Sequence, residues 1–440
     1  MNTGKTVWTG WFLFMVMAAS FAVWTPPFMY PDEPTHLVGC LETWNPAARE
    51  KLEHSVLVEM DRHSFWRRAG VETPVEIPEK FYHAPMLRMI PTQFAKPVHV
   101  YAASGFLLRR LQIESVTGSL FALRVLGILM AGLFAWIYSI IIRTVLPADS
   151  EQSAAMSALA VPQLAYMAGA FNPSNTAWIT GGMILLAALW LLDPGRRFHG
   201  FGLLFTALVL TVVTHRAALA LVPAAGVAMI AGRRRISRHR VPVWVWPVAG
   251  IAVPALWVIT AYRAPLILRA VIIRLATVIR QTGVTPVSSA ADTAWLTEFI
   301  AFFWRSSILN FGWLSCEAPR GLYVIFAGIA GIGLLGGLRR LIPFGKRSGE
   351  PGNTARDVVL WTAVMGMIWA AAARYAAAGN LSQGRYLFAA WPAFACLITV
   401  GWRRWLPDRV FEVTVRWAVP VVWLISAWSL WWIWIPCIYF

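Results

Sequence analysis

The chain has 440 residues, 58% of them hydrophobic and only 13% charged, and a mean hydropathy of +0.58. Soluble domains carry roughly a quarter charged residues, so that class is excluded, and the recurrence of apolar runs of about 20 residues describes an all-α polytopic integral membrane protein. The net charge of +17 excludes no class by itself and does not signal nucleic acid, because most of the arginines lie in short loops between apolar runs, where they set topology.

The first predicted span, 8–29, follows Lys5 and has no small-residue cleavage site after it, so it reads as a retained helix with a cytoplasmic N-terminus. It ends in Pro31-Asp32-Glu33-Pro34-Thr35-His36. Pro34 suits the first turn of a helix, and in that helix His36 follows each acid by three or four residues, so the three side chains share a face. Two readings stay open. Asp32 or Glu33 is a general base steered by the imidazole or by a divalent metal ion held on Asp32, Glu33 and His36. Alternatively Asp32 caps the helix and Glu33 sits at the positive end of its dipole. Capping and catalysis are compatible, since each needs only one acid.

Residues 30–117 form a first long outer loop holding 11 of the 21 acidic residues. Leu37, Leu41, Trp44, Leu52, Val56 and Met60 recur at helical spacing, which predicts juxtamembrane helices. Residues 71–97 are proline-rich and read as irregular loop, and 98–113 return to a helical pattern. Lys96, His99 and Tyr101 fall where they reach the same mouth as the acid motif.

The remaining predicted spans are 119–142, 154–171, 175–192, 201–214, 217–231, 243–262, 321–338, 357–374, 385–402 and 413–435, which makes about eleven in one membrane domain, 1–440. The pieces around 201–231 read as two short helices or one re-entrant pair. The loops assigned to the cytoplasm carry Arg196, Arg197, Arg233, Arg234, Arg235, Arg339, Arg340, Arg403 and Arg404, whereas the short outer turns carry little charge, so the alternation supports this orientation.

On the outer side, Thr214-His215-Arg216 interrupts apolar sequence, and charges at such places are usually functional or paired. A second long outer loop, 263–320, opens with a basic amphipathic stretch, 264–280, and closes with Phe303-Trp304 and Phe311-Gly312-Trp313. Asn380-Leu381-Ser382-Gln383-Gly384-Arg385-Tyr386 leads into the tenth span, and Arg385 suits a fork on phosphate. The four cysteines, Cys40, Cys316, Cys396 and Cys437, lack metal-ligand spacing, and a Cys40–Cys316 pair on the outer side is left open. Four distant segments thus bring a carboxylate pair, cations and aromatics to one face.

The order of Pro-Asp-Glu-Pro-Thr-His (31–36), Phe-Gly-Trp (311–313) and Gln-Gly-Arg-Tyr-Leu-Phe (383–388) resembles a family of bacterial polytopic proteins catalogued as a domain of unknown function, within the clan of C-type glycosyltransferases. The resemblance runs from about the first span to the tenth. It departs at Asn172-Pro173-Ser174, where an aspartate is expected, and at His215-Arg216, where a lysine is more usual.

The resemblance implies a GT-C-like helical core under an outer cavity, in the cytoplasmic membrane. It implies transfer of a sugar from a polyprenyl-phosphate donor to a glycan or protein acceptor. Asp32 or Glu33 would be the base, with Arg385, Arg216, His215 and Lys96 at the donor phosphate. Tyr386, Gln383, Trp313, Tyr101 and His99 would line the substrate cavity. The competing readings are a transporter of lipid-linked glycan and a non-catalytic scaffold; the scarcity of charge within the spans, where only Arg124 lies near the start of the second, speaks for a surface site rather than a pore.

Overall fold

The computed structural model of the chain describes residues 3–43, 49–84, 98–113, 115–234, 290–311, 316–341, 351–378 and 384–439. These are almost entirely helical, as an apolar environment requires of a chain that must satisfy its backbone internally. Among the described residues, seven helical segments are long and apolar enough to cross a membrane: Val7–Trp24, Val116–Val145, Ser174–Leu192, Arg320–Arg339, Thr354–Ala372, Gly384–Trp405 and Asp408–Tyr439. Two shorter apolar segments, Arg197–Val213 and Arg216–Gly232, match the predicted pair around 201–231 and form two short helices.

The helices are α1 (Thr3–Trp24), α2 (Glu33–Glu42), α3 (Arg49–Arg62), α4 (Phe65–Arg68), α5 (Val98–Arg110), α6 (Val116–Val145), α7 (Asp149–Ser157), α8 (Pro162–Ala168), α9 (Ser174–Leu192), α10 (Arg197–Val213), α11 (Val222–Arg234), α12 (Ala290–Ile308), α13 (Arg320–Leu341), α14 (Pro351–Ala378), α15 (Trp391–Trp405), α16 (Asp408–Ser429) and α17 (Ile435–Tyr439). The expected span 154–171 is not one helix. It breaks into α7, a 3-10 turn over Ala158–Ala160 and α8, because Val161 precedes Pro162 and is held out of the helical region (ψ 122°). The span 243–262 and the basic stretch 264–280 lie outside the described residues.

α9 and the Gly384–Trp405 segment form the centre of the bundle, 78% and 83% buried. An α-helix apolar on every side belongs in such a position. α13 and the final segment are the most open, at 28% and 33%, and present Val324, Leu335, Trp417 and Trp432 outward as a lipid-facing surface does. Small residues allow the closest approach: a Cβ on Gly401 would overlap the Gly333 carbonyl, so α13 and α15 touch backbone to backbone.

Contacts between distant segments sort into two ends. At one, Arg403 pairs with Glu151 (3.4 Å), Arg356 donates to the Val145 carbonyl (3.3 Å) and Arg197 to that of Gly232 (3.1 Å). At the other, Glu33 meets Arg124, Asp32 meets Arg385, and Cys316 is bonded to Cys437. Each residue falls on the end assigned by the alternation of spans. The first loop caps this second end through α2 to α5; of its predicted apolar series Leu37, Val56 and Met60 are buried and Leu41 and Leu52 half-buried.

The disulfide differs from the Cys40–Cys316 alternative. Cys40 is buried in α2 as a free thiol, while the short hairpin formed by Asn310–Phe311 and Cys316–Glu317 carries Cys316 to the last helix. Under denaturing conditions a bulky maleimide is expected to modify two cysteines per chain before reduction and four after it, read as gel shifts. Four modified before reduction would exclude the Cys316–Cys437 link.

Candidate functional site

The acid motif divides its two carboxylates between two arginines. Glu33 is 2% exposed and faces Arg124, itself 1% exposed, in a fork of 2.7 Å from Nε to Oε1 and 2.9 Å from Nη2 to Oε2. Arg124 also donates from Nη1 to the carbonyls of Ala22 (2.8 Å) and Thr25 (2.6 Å), and from Nη2 to that of Pro26 (2.9 Å). All five of its N–H groups are thereby used. The Tyr30 ring lies over the guanidinium at 4.8 Å. The clamp ties the end of α1, the start of α2 and the first third of α6 together.

Asp32 occupies the N-cap of α2 in the left-handed region (φ 63°), with Pro34 in the first turn as expected. Its side chain makes no capping bond. An aspartate tolerates this conformation better than most residues, at a cost of order 1–2 kcal/mol. The consequence is directional: the carboxylate is 28% exposed and accepts a 3.0 Å bond from Arg385 Nη2. The capping alternative therefore does not describe Asp32, and Glu33 has both oxygens committed to Arg124. Of the two acids, Asp32 is the one accessible to chemistry.

Arg385 lies in a 3-10 segment, Gly384–Ala390, that packs against α9, α12 and α14. Gly384 donates to Ser306 Oγ at 2.8 Å, and a Cβ there would overlap the Phe303 carbonyl and the Ser307 hydroxyl. Only glycine admits this approach, and it delivers the next residue, Arg385, to Asp32. Arg385 is 8% exposed, and its Nε and Nη1 are sealed from solvent without a hydrogen-bond partner. Tyr386 is buried beside it, with its ring centroid 5.9 Å from the guanidinium carbon.

His36 stands in α2 with its Nδ1 2.8 Å from the Tyr101 hydroxyl of α5, while its Nε2 is buried and unpartnered. Burial holds the imidazole down to about 4; Asp32 opposes that shift and Arg385 adds to it. Burial likewise raises the Tyr101 phenol and the Cys40 thiol, so both stay protonated. His99, two residues before Tyr101, leaves α5 about 200° away from it and is exposed.

His215 caps the segment Arg216–Leu221, accepting from the Ala217 N–H at 3.3 Å, and Arg216 is exposed. That segment packs against Gly384–Ala390, which carries Arg385. Phe311 belongs to the core: its ring meets Phe21, Tyr166 and Trp434 at 5.5, 5.1 and 5.7 Å, so it is no platform for a sugar. Lys96, Gln383 and Trp313 lie outside the described residues. Sequence reasoning missed Ser306 and Ser307, and it treated Arg124 only as an exception; a lone arginine in an apolar span was the available signal for the clamp.

A divalent cation does not fit the residues described. Glu33 is committed to Arg124, Asp32 faces a guanidinium, and among the described residues no group of three His, Cys, Asp or Glu side chains converges.

Comparisons with protein-family models, curated proteins and solved structures found no match. The resemblance of the three motifs therefore rests on their residues.

Two outcomes test the division of roles. Glu33→Gln, which strands Arg124, should cost about 3–5 kcal/mol and lower the unfolding temperature of the purified protein, whereas Asp32→Asn, at a partly exposed carboxylate, should cost clearly less. Because the His36 imidazole titrates near 4 when folded and near 6.5 when unfolded, the unfolded chain binds the extra proton between those values. Stability should therefore be full above pH 6.5 and fall as pH drops toward 4, and His36→Gln should flatten that part of the profile.

Proposed function

We propose that this chain is a membrane glycosyltransferase that takes a sugar from a polyprenyl-phosphate donor and passes it to a hydroxyl of a cell-surface glycan, a lipid-linked saccharide or an exported protein. The observation that carries this reading is the pairing, at one end of the bundle, of a partly open carboxylate with a buried arginine that still has two unpartnered nitrogens. A carboxylate serves as a base and a forked cation serves as an anion site. A reaction that attacks a carbon bonded to phosphate calls for both groups, and here they are neighbours.

Asp32 accepts the proton of the acceptor hydroxyl as its oxygen bonds to the anomeric carbon. The bond from that carbon to the phosphate oxygen breaks, and the electron pair leaves with the lipid phosphate. That leaving group is already a good anion, so it calls for a cation rather than a general acid, and Arg385 supplies it. A single displacement inverts the anomeric carbon. Tyr386 lies beside the Arg385 guanidinium, and His36, held by Tyr101, feels the charges of both Asp32 and Arg385. Glu33 acts through structure, holding the turn that aims Asp32.

Two further features support the setting. A cavity of about 310 Å³ is walled by apolar side chains that include Trp304, Ile308, Phe326, Trp391, Phe394 and Phe411. Its lining holds none of Asp32, His36, Arg385 and Tyr386; it borders α12 and runs along α15 to Leu406 and Phe411, and its apolar walls suit a hydrocarbon chain. The Cys316–Cys437 bond belongs to an oxidising compartment, which favours the extracytoplasmic side for the end that holds Asp32, and the arginine-rich opposite end agrees with a cytoplasmic location.

The test is an assay of purified protein with a panel of radiolabelled polyprenyl-phosphate sugars and membrane-extracted acceptors. Asp32→Asn should lower turnover by about 10²–10⁴-fold, the usual worth of a general base. Arg385→Ala should abolish measurable transfer. Turnover that survives Asp32→Asn would remove the base, and lipid translocation without transfer for every donor would replace the reading with a transporter.

A further inference from the structure

The two buried arginines at this end differ in how much of each guanidinium is in use. Arg124 spends every N–H on Glu33 and three carbonyls. Arg385 gives Nη2 to Asp32 and leaves Nε and Nη1 buried without partners. An orphaned, desolvated donor costs about 1–3 kcal/mol, more where it is charged, and such a cost marks a position awaiting a ligand.

The shape of the guanidinium limits how a phosphate can take that position. It offers two edges to a forked anion, Nε with Nη2 and Nη1 with Nη2; the edge between Nε and Nη1 is blocked by the side chain's own Cδ. Both usable edges contain Nη2, the nitrogen that holds Asp32. A phosphate on the edge used by Asp32 evicts the carboxylate. A phosphate on the other edge shares Nη2 with it and places a second anion beside it. In either arrangement Asp32 loses its sole claim on the cation or gains a like-charged neighbour, and both changes raise a carboxylate's affinity for a proton.

Building on the proposed glycosyl transfer, we infer that the donor arms its own base: the lipid phosphate takes over Arg385 and so converts Asp32 from an ion-pair partner into a proton acceptor. A carboxylate paired with a guanidinium is a poor base. In the structure Asp32 is in that paired state, so without donor the acceptor hydroxyl meets no competent base. Glu33, bound to Arg124, stands apart from the exchange.

The experiment is difference infrared spectroscopy in the carboxylate and carbonyl region. The full-length protein is reconstituted in lipid nanodiscs and titrated with a polyprenyl phosphate that carries no sugar. Binding of this lipid should shift an aspartate band in the wild type, and the shift should be lost in Asp32→Asn. Asp32→Asn should also bind the lipid phosphate several-fold tighter, because its competitor for Nη2 is gone. Arg385→Ala should lose both binding and signal; Arg385→Lys, which keeps the charge but has no fork, should weaken binding and serves if the alanine variant does not fold. Binding with unmoved aspartate bands and equal affinity in Asp32→Asn would overturn the arming step and leave the anion site standing. Failure of the wild type to bind, or wild-type binding by Arg385→Lys and Arg385→Ala alike, would overturn the underlying reading of the site.

Discussion

The Glu33–Arg124 clamp is the interaction on which the rest of this end depends. A charge taken out of water must be paired and fully hydrogen-bonded, and Arg124 meets that demand by gathering one carboxylate and three backbone carbonyls from residues 22–33. Ala22 lies in the last turn of α1 and Thr25 and Pro26 just follow it, so a single side chain helps satisfy a helix terminus and fixes the path of the chain after it. The left-handed Asp32 follows from that path. Its neighbour is anchored, its own carboxylate is turned away, and it meets an arginine 353 residues later in the sequence.

The opposite wall is set by packing rather than charge. The Gly384–Ala390 segment is a 3-10 turn at the mouth of the most enclosed span, and its first residue fits only because it has no side chain to collide with Ser307. The N–H of that first residue has no acceptor within the turn, and Ser306 supplies one. A rigid floor and a clamped rim therefore bring Asp32 and Arg385 within hydrogen-bond distance without either residue lying on a mobile surface loop.

Much of this was legible in the residues. Composition and apolar runs gave the helical membrane class, and the alternation of arginine-rich and charge-poor loops put the acid motif and Arg385 on one side, where they meet. The division of labour between Asp32 and Glu33 was not legible, because two adjacent carboxylates have the same chemistry until a partner 91 residues away claims one of them. The break in the span 154–171 was written in Val161-Pro162, but hydropathy averages over a proline. The disulfide partner of Cys316 depended on where the last helix ends, a question of packing. Phe311, one of the aromatics that close the second outer loop, is held in the core by three rings from α1, α8 and the π-helical turn Leu430–Trp434, none of them near it in sequence.

The final residues of the chain close over its beginning. Trp434 donates to Thr25 (3.0 Å), Arg68 donates to the Ile438 carbonyl (3.0 Å), and Tyr439 donates to the Trp24 carbonyl (3.2 Å). Synthesis runs from the N-terminus, so residues 434–439 join the rim long after residues 24–68 are made, and until they do the acid motif is supported from one side only.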